Sequence, residues 1–136
     1  MSQEKVEIVR RLIALGDESR ENGIATLPAD LMAPDVEFDL SRRVFNPETY
    51  RGYDGWLRLT AQMSEVWGEW HVTAERILDA GDRVVSIEAV RGRGRASGLE
   101  TEGRYASIWT FEGGRVTRVE VGIDPDEALR AAGLEE

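Results

Sequence analysis

Ile108-Trp109-Thr110-Phe111-Glu112-Gly113-Gly114-Arg115-Val116 is the stretch on which the fold turns. Four β-forming residues run into two glycines, and Val116 to Ile123 then resumes with Val119, Val121 and Ile123 at alternate positions, which puts them on one face. Glycine accepts the positive φ that a tight hairpin turn demands, so Glu112 to Arg115 is such a turn. Two antiparallel strands follow, Glu100 to Phe111 and Val116 to Ile123.

Working outward, Ser97-Gly98 and Asp79-Ala80-Gly81-Asp82 are further turns. They delimit a strand from about Trp70 to Leu78 and another from Arg83 to about Arg93. Upstream the period changes. Val6, Val9, Leu12, Ile13 and Gly16 recur at helical spacing over residues 3–16, with Ser2 as N-cap and Glu4 in the first turn. The polar run 16–23 either extends that helix or loops. Pro28 opens a short helical turn through Met32, ended by Pro34-Asp35. Val36-Glu37-Phe38-Asp39-Leu40 alternates as a half-buried strand, and residues 41–53, with Pro47 and Gly52, form a loop. A second helix is predicted from about Asp54 to Trp67, with Trp56, Leu59, Met63, Val66 and Trp67 as its buried stripe. At the other end, Asp124-Pro125-Asp126-Glu127 is a capping box with proline at the first helical position, and Gly133-Leu134 closes that helix. Helices first, a run of sequential strands and a short closing helix predict one α+β domain over residues 1–136.

The bulk numbers narrow the function. The chain has 136 residues, 41% of them hydrophobic and 32% charged, enough for a core of its own. A net charge of −9 repels phosphate backbones, so no nucleic-acid partner is expected. The chain holds no cysteine, which excludes disulfides and thiolate chemistry and fits a cytoplasmic setting. No apolar run reaches the roughly 18 residues of a membrane span, so no membrane partner is expected, and the acidic start is unlike a secretory signal.

Several stretches resemble the SnoaL-like branch of the nuclear-transport-factor-2 superfamily, to which ketosteroid isomerases and limonene epoxide hydrolases also belong. They are Ala33-Pro34-Asp35-Val36-Glu37-Phe38, Tyr50-Arg51-Gly52, Ala80-Gly81-Asp82-Arg83-Val84-Val85, Ile108 to Val116, and Asp124 to Leu129. The resemblance implies a cone-shaped, curved antiparallel sheet with helices packed on its concave face. It also implies an apolar pocket between them and a homodimer. It does not carry over the isomerase machinery, which needs a carboxylate base and tyrosine and protonated-aspartate donors. In alignment these fall on Leu40, Leu12 and Ser107. The Arg-x-Asp pair of the epoxide hydrolases is replaced by Tyr105-Ala106-Ser107.

Tyr105, Ser107, Trp109 and Phe111 share one strand face. If it is concave, two hydroxyls enter the pocket, where either can polarise a substrate oxygen. Arg91 shares parity with Val85, Ile87 and Ala89, which would set a guanidinium at the pocket mouth to hold a negative group; the alternative is an exposed strand end in an arginine-rich hairpin. The expected catalytic residues are therefore Tyr105, Ser107 and Arg91. The expected apolar lining is Leu12, Phe38, Leu40, Met63, Trp67, Ile87, Ala89, Trp109, Val121 and Ile123. Asp35, Glu37 and Asp39 alternate with core residues and point away from the pocket. Gly92-Arg93-Gly94-Arg95-Ala96-Ser97-Gly98 lacks the dinucleotide spacing and reads as a bulged hairpin. His71, the single histidine, and Asp124 have structural readings, at an element end and in a cap. With one histidine and no cysteine, neither metal nor cofactor is expected. The expected ligand is an apolar carbonyl compound, handled by cofactor-free acid–base chemistry of isomerase, cyclase or hydrolase type. The alternative is a non-catalytic binding or assembly domain.

Overall fold

A computed structural model describes residues 2–22, 28–41 and 48–134. In chain order the elements are α1 (Ser2–Asn22), β1 (Met32–Asp39), β2 (Thr49–Arg51), α2 (Gly52–Val66), β3 (Trp67–Ala80), β4 (Arg83–Gly94), β5 (Glu100–Glu112), β6 (Arg115–Ile123) and α3 (Pro125–Ala131). Helix α1 runs on through the polar segment as far as Asn22, and Gly23 lies outside the described residues. The turn after Pro28 forms, with the Leu31 and Met32 N–H groups donating to its carbonyl at 3.1 and 3.0 Å. Strand β1 starts at Met32, four positions before the alternation becomes visible at Val36, because Pro34 and a register irregularity between Met32 and Glu37 mask its first half. Inside the predicted loop, Thr49–Arg51 pairs with β1 through Phe38 and Tyr50, while Pro47 lies outside the described residues. Gly52, at φ +68°, turns that strand directly into α2.

The six strands form one sheet in the order β2-β1-β6-β5-β4-β3. Strands β3 to β6 are an antiparallel meander, as their short turns require. Strand β1 lies parallel to β6, which the long connection through α2 and the meander permits. Register breaks at Trp67/Glu69 and Ala74/Arg76 in β3, and at Ala106/Ile108 and Thr110/Phe111 in β5, bend the sheet.

One bulge changes a face. Ala106 pairs with Ile123 and Ile108 with Glu120, so Val121 and Gly122 together oppose Ser107, with Gly122 at φ 77°. Simple alternation would set Ile123 beside Val119 and Val121. The extra residue turns it to the opposite face, where it is 2% exposed.

The two faces have separate cores. On the concave face, α1 and α2 pack over Val36, Phe38, Val84, Trp109, Phe111 and Val119, with Val9, Leu12 and Ile13 supplied by α1. On the other face, α3 sets Ala128 and Leu129 against Val85, Ile87, Ala106, Ile108 and Ile123. The Asp124 side chain accepts from Glu127 N–H at 3.2 Å and caps α3. Gly133, at φ 76°, lets Leu134 N–H reach Leu129 O at 2.8 Å. No helix among the described residues is long and apolar enough to cross a membrane.

Candidate functional site

A cavity of about 740 Å³ lies between the concave face and helices α1 and α2. The bent sheet cannot be filled from below by flat packing, and its largest side chains stand around the hollow. All four tryptophans line it (Trp56, Trp67, Trp70 and Trp109), together with Phe38, Tyr50 and Tyr105. Trp67 and Trp70 pack against each other in a tilted pair, with ring centroids 4.8 Å apart and planes at 41°. They rest on Gly92, where a Cβ would come within 2.6 Å of the Trp70 ring, so a side chain on this glycine would push the pair out of place.

The structure divides the expected lining into two groups. Leu12, Phe38, Leu40, Met63, Trp67, Trp109 and Val121 face the cavity, as do Tyr105 and Ser107. Ile87, Ala89, Ile123 and Arg91 do not. Ile87 and Ile123 belong to the core under α3, and Ala89 shares the strand parity of Ile87. Arg91 follows the same parity and is exposed, opposite His71 and Glu102 in the neighbouring strands. The grouping of Arg91 with Val85, Ile87 and Ala89 is correct, but that row is the one covered by α3. Arg91 therefore lies outside the cavity lining.

The other row of β4 carries the buried polar groups. Val84, Ser86, Glu88 and Val90 face the helices, and Glu88 is a lining residue only 4% exposed. Ser86, fully buried, donates its hydroxyl hydrogen to Glu88 Oε2 at 2.5 Å, and Trp109 Nε1–H donates to Ser86 Oγ at 2.9 Å. An indole nitrogen only donates, and a serine hydroxyl has one hydrogen. Ser86 thus accepts from Trp109 and gives its one hydrogen to Glu88 Oε2. Tyr105 is the direct cross-strand partner of Glu88, and Ser107 that of Ser86. A carboxyl and a phenol thus sit side by side on one wall.

At the opposite edge of the sheet, Tyr50 on β2 hydrogen-bonds Gln62 Oε1 on α2, and both residues line the cavity. Trp56 Nε1 is the one buried side-chain donor among the described residues with no partner. Among those residues no group of three or more His, Asp or Glu could hold a metal ion.

The remaining candidates lie elsewhere. Glu37 and Asp39 face away from the cavity, held by Arg118, and Arg51 reaches Glu37 Oε2 at 2.8 Å. His71 Nδ1 lies 3.8 Å from Asp17 Oδ1, and that oxygen also accepts Val72 N–H at 2.9 Å, pinning α1 along the edge strand β3. In the glycine-rich hairpin, Arg95 closes onto the end of α2 through Ser64 O at 2.6 Å.

A SnoaL-like domain model matches residues 9–119. The chain belongs to the SnoaL-like domain family. Its structural relatives share the fold at low identity. An NTF2-like protein of unknown function from Burkholderia pseudomallei is 20% identical, with a TM-score of 0.72 and 96% and 97% of the two chains covered. A putative SnoaL-like polyketide cyclase from Jannaschia is 18% identical, with a TM-score of 0.71 and 99% and 94% covered. TerC, co-crystallized with polyporic acid, is 22% identical, with a TM-score of 0.71 and 95% and 97% covered. No curated protein matches the chain. In this SnoaL-like chain Leu12 and Leu40 are apolar wall residues, and the carboxyl in the wall is that of Glu88 on β4.

Sequence reasoning missed Glu88. Val84-Val85-Ser86-Ile87-Glu88-Ala89-Val90 is a central strand buried on both sides, so hydrophobicity alone does not tell its faces apart. The available signal was the pair Ser86 and Glu88, two polar residues two apart in an apolar run. Such a row must be satisfied internally or by a ligand.

Proposed function

We propose that this SnoaL-like protein binds an apolar carbonyl compound in the cavity and moves a proton on it through Glu88. The observation that carries the reading is a buried carboxyl, oriented by Ser86 and Trp109, in the wall of an otherwise aromatic and aliphatic hollow. Its volume lies within the roughly 300–1,000 Å³ usual for small-molecule sites. The carboxylate takes a proton from the carbon next to the carbonyl, and the C–H electron pair moves onto the carbonyl oxygen as an enolate. The carboxylic acid returns a proton to the same carbon, or to the far end of a double bond conjugated with the enolate, as the carbonyl re-forms, so no cofactor is consumed. Tyr105 and Ser107 are the hydroxyls on this wall suited to the enolate oxygen, and a general base of this kind contributes about 10²–10⁴-fold in rate. The Jannaschia relative's name and the polyporic acid complex of TerC support a small organic ligand for the fold. The homodimer expected of the family is part of the proposal, and a scattering particle of single-chain mass at micromolar concentration would overturn it.

The test is exchange of α-protons of apolar ketones in heavy water, followed by NMR. Wild type is expected to catalyse exchange, and Glu88→Gln to lose at least about a hundredfold of it while still showing ligand-induced thermal stabilisation. Full exchange in Glu88→Gln would remove the carboxyl from the reaction. A second reading, a binding protein without turnover, is favoured by the Ser86 bond, since it gives Glu88 a structural role. Thermal stabilisation by these ketones without exchange would select it.

A further inference from the structure

The cavity has a charge preference that its shape alone does not require. Among the described lining residues there is no lysine, arginine or histidine, and the single formally charged group is Glu88. All four tryptophans line the same hollow, and an indole ring presents negative charge to a cation above its face. The whole chain adds a field of the same sign, with a net charge of −9. Each of these three contributions repels an anion and attracts a cation, and a partly desolvated site strengthens all of them. Indole is the best of the aromatic side chains at holding an organic cation.

We propose that the cavity selects organic cations: it binds a ligand whose apolar body carries a protonated or alkylated amine, and rejects carboxylates of the same shape. The inference rests on the reading of the cavity as a ligand site and narrows the proposed substrate to an amine-bearing carbonyl compound. The ammonium lies over the indole faces within the field of Glu88. The Ser86 bond stays in place, since the ammonium acts through the field of the carboxyl and takes none of its hydrogen-bond partners. An acidic ligand would meet no compensating cation on the described wall and would lose its hydration on entry.

Calorimetric titration of the full chain with three isosteric probes, naphthylmethylammonium, naphthylmethanol and naphthoate, tests the proposal. Wild type is expected to bind the ammonium about tenfold tighter than the alcohol, the ratio a partly desolvated cation–ring contact gives, and the alcohol tighter than the acid. In Glu88→Gln the spread should shrink, and in Glu88→Asp, which keeps the charge, it should persist. Melting curves establish that both variants fold. If Glu88→Gln does not fold, the wild-type ranking alone decides. Equal affinity for ammonium and alcohol, tighter binding of the acid, or an unchanged spread in folded Glu88→Gln would overturn the charge selection while leaving the ligand site standing. No binding of any probe would overturn the ligand site itself, and this proposal with it.

Discussion

Strand β4 shows the same backbone put to two uses. On one side Val85 and Ile87 join Ala106, Ile108, Ile123 and Ala128 in a core of small and branched aliphatic side chains closed by α3. On the other, Glu88 stands in the wall of a hollow lined by four tryptophans, Phe38, Tyr50 and Tyr105, with Ser86 buried behind it. Branched aliphatics fill space on a pleated surface, and their contacts are spent on each other. Large rings around a void have no partner atoms on one side, so part of their contact energy stays available to a ligand. The aliphatic face is filled by its own contacts, and the aromatic face keeps a hollow.

The sharpest way to break this contrast is truncation on both sides. Ile108→Ala, at a site 1% exposed, should cost about 2–5 kcal/mol in urea unfolding. Met63→Ala, on the rim of the hollow, should cost less than about 1 kcal/mol, since no filled space is vacated. Equal losses would mean that the cavity is filled in solution. Next in size is Gly92→Ala, whose new methyl group meets the Trp70 ring at 2.6 Å. It should destabilise the chain by about 1–3 kcal/mol and shift tryptophan fluorescence, because the Trp67–Trp70 pair must move. A silent substitution would show that the pair does not rest on this strand.

Asp124→Ala removes the cap of α3 and should cost about 1 kcal/mol, weakening the aliphatic face while leaving thermal stabilisation by cavity ligands intact. Loss of ligand response in that variant would couple the two faces. The smallest effect concerns pH. Burial raises the carboxyl pKa of Asp39, but bonds from Ser41, the charge of Arg118 and a bond from Thr49 outweigh it, and the net shift is downward. A carboxylate depressed in the folded state adds stability above its unfolded pKa and loses it as pH falls through the folded value. Melting temperatures should therefore fall on acidification below about pH 4, and Asp39→Asn should flatten that limb. An identical acid limb in wild type and variant would refute the assignment.

Much of the architecture was legible because it rests on local signals. The Gly113-Gly114 turn, the Asp124 cap and the alternation in β5 each depend on neighbours a few residues away, and each forms as read. The parallel pairing of β1 with β6 and the short strand β2 were not legible, since they depend on partners far along the chain. The cavity was legible in part. Tyr105 and Ser107 line the cavity, on the face that Trp109 and Phe111 mark. Arg91 was misplaced and Glu88 missed because β4 is apolar on both faces.

Alternation along a strand by itself determined which residues travel together: Tyr105 with Ser107, Arg91 with Ile87, Ser86 with Glu88. Only the tertiary structure decided which row meets a helix and which meets a hollow. Parity is a property of the backbone, which repeats every two residues whatever surrounds it. The choice between faces belongs to α3 and to the bulge at Gly122, whose effects no window of sequence around β4 contains.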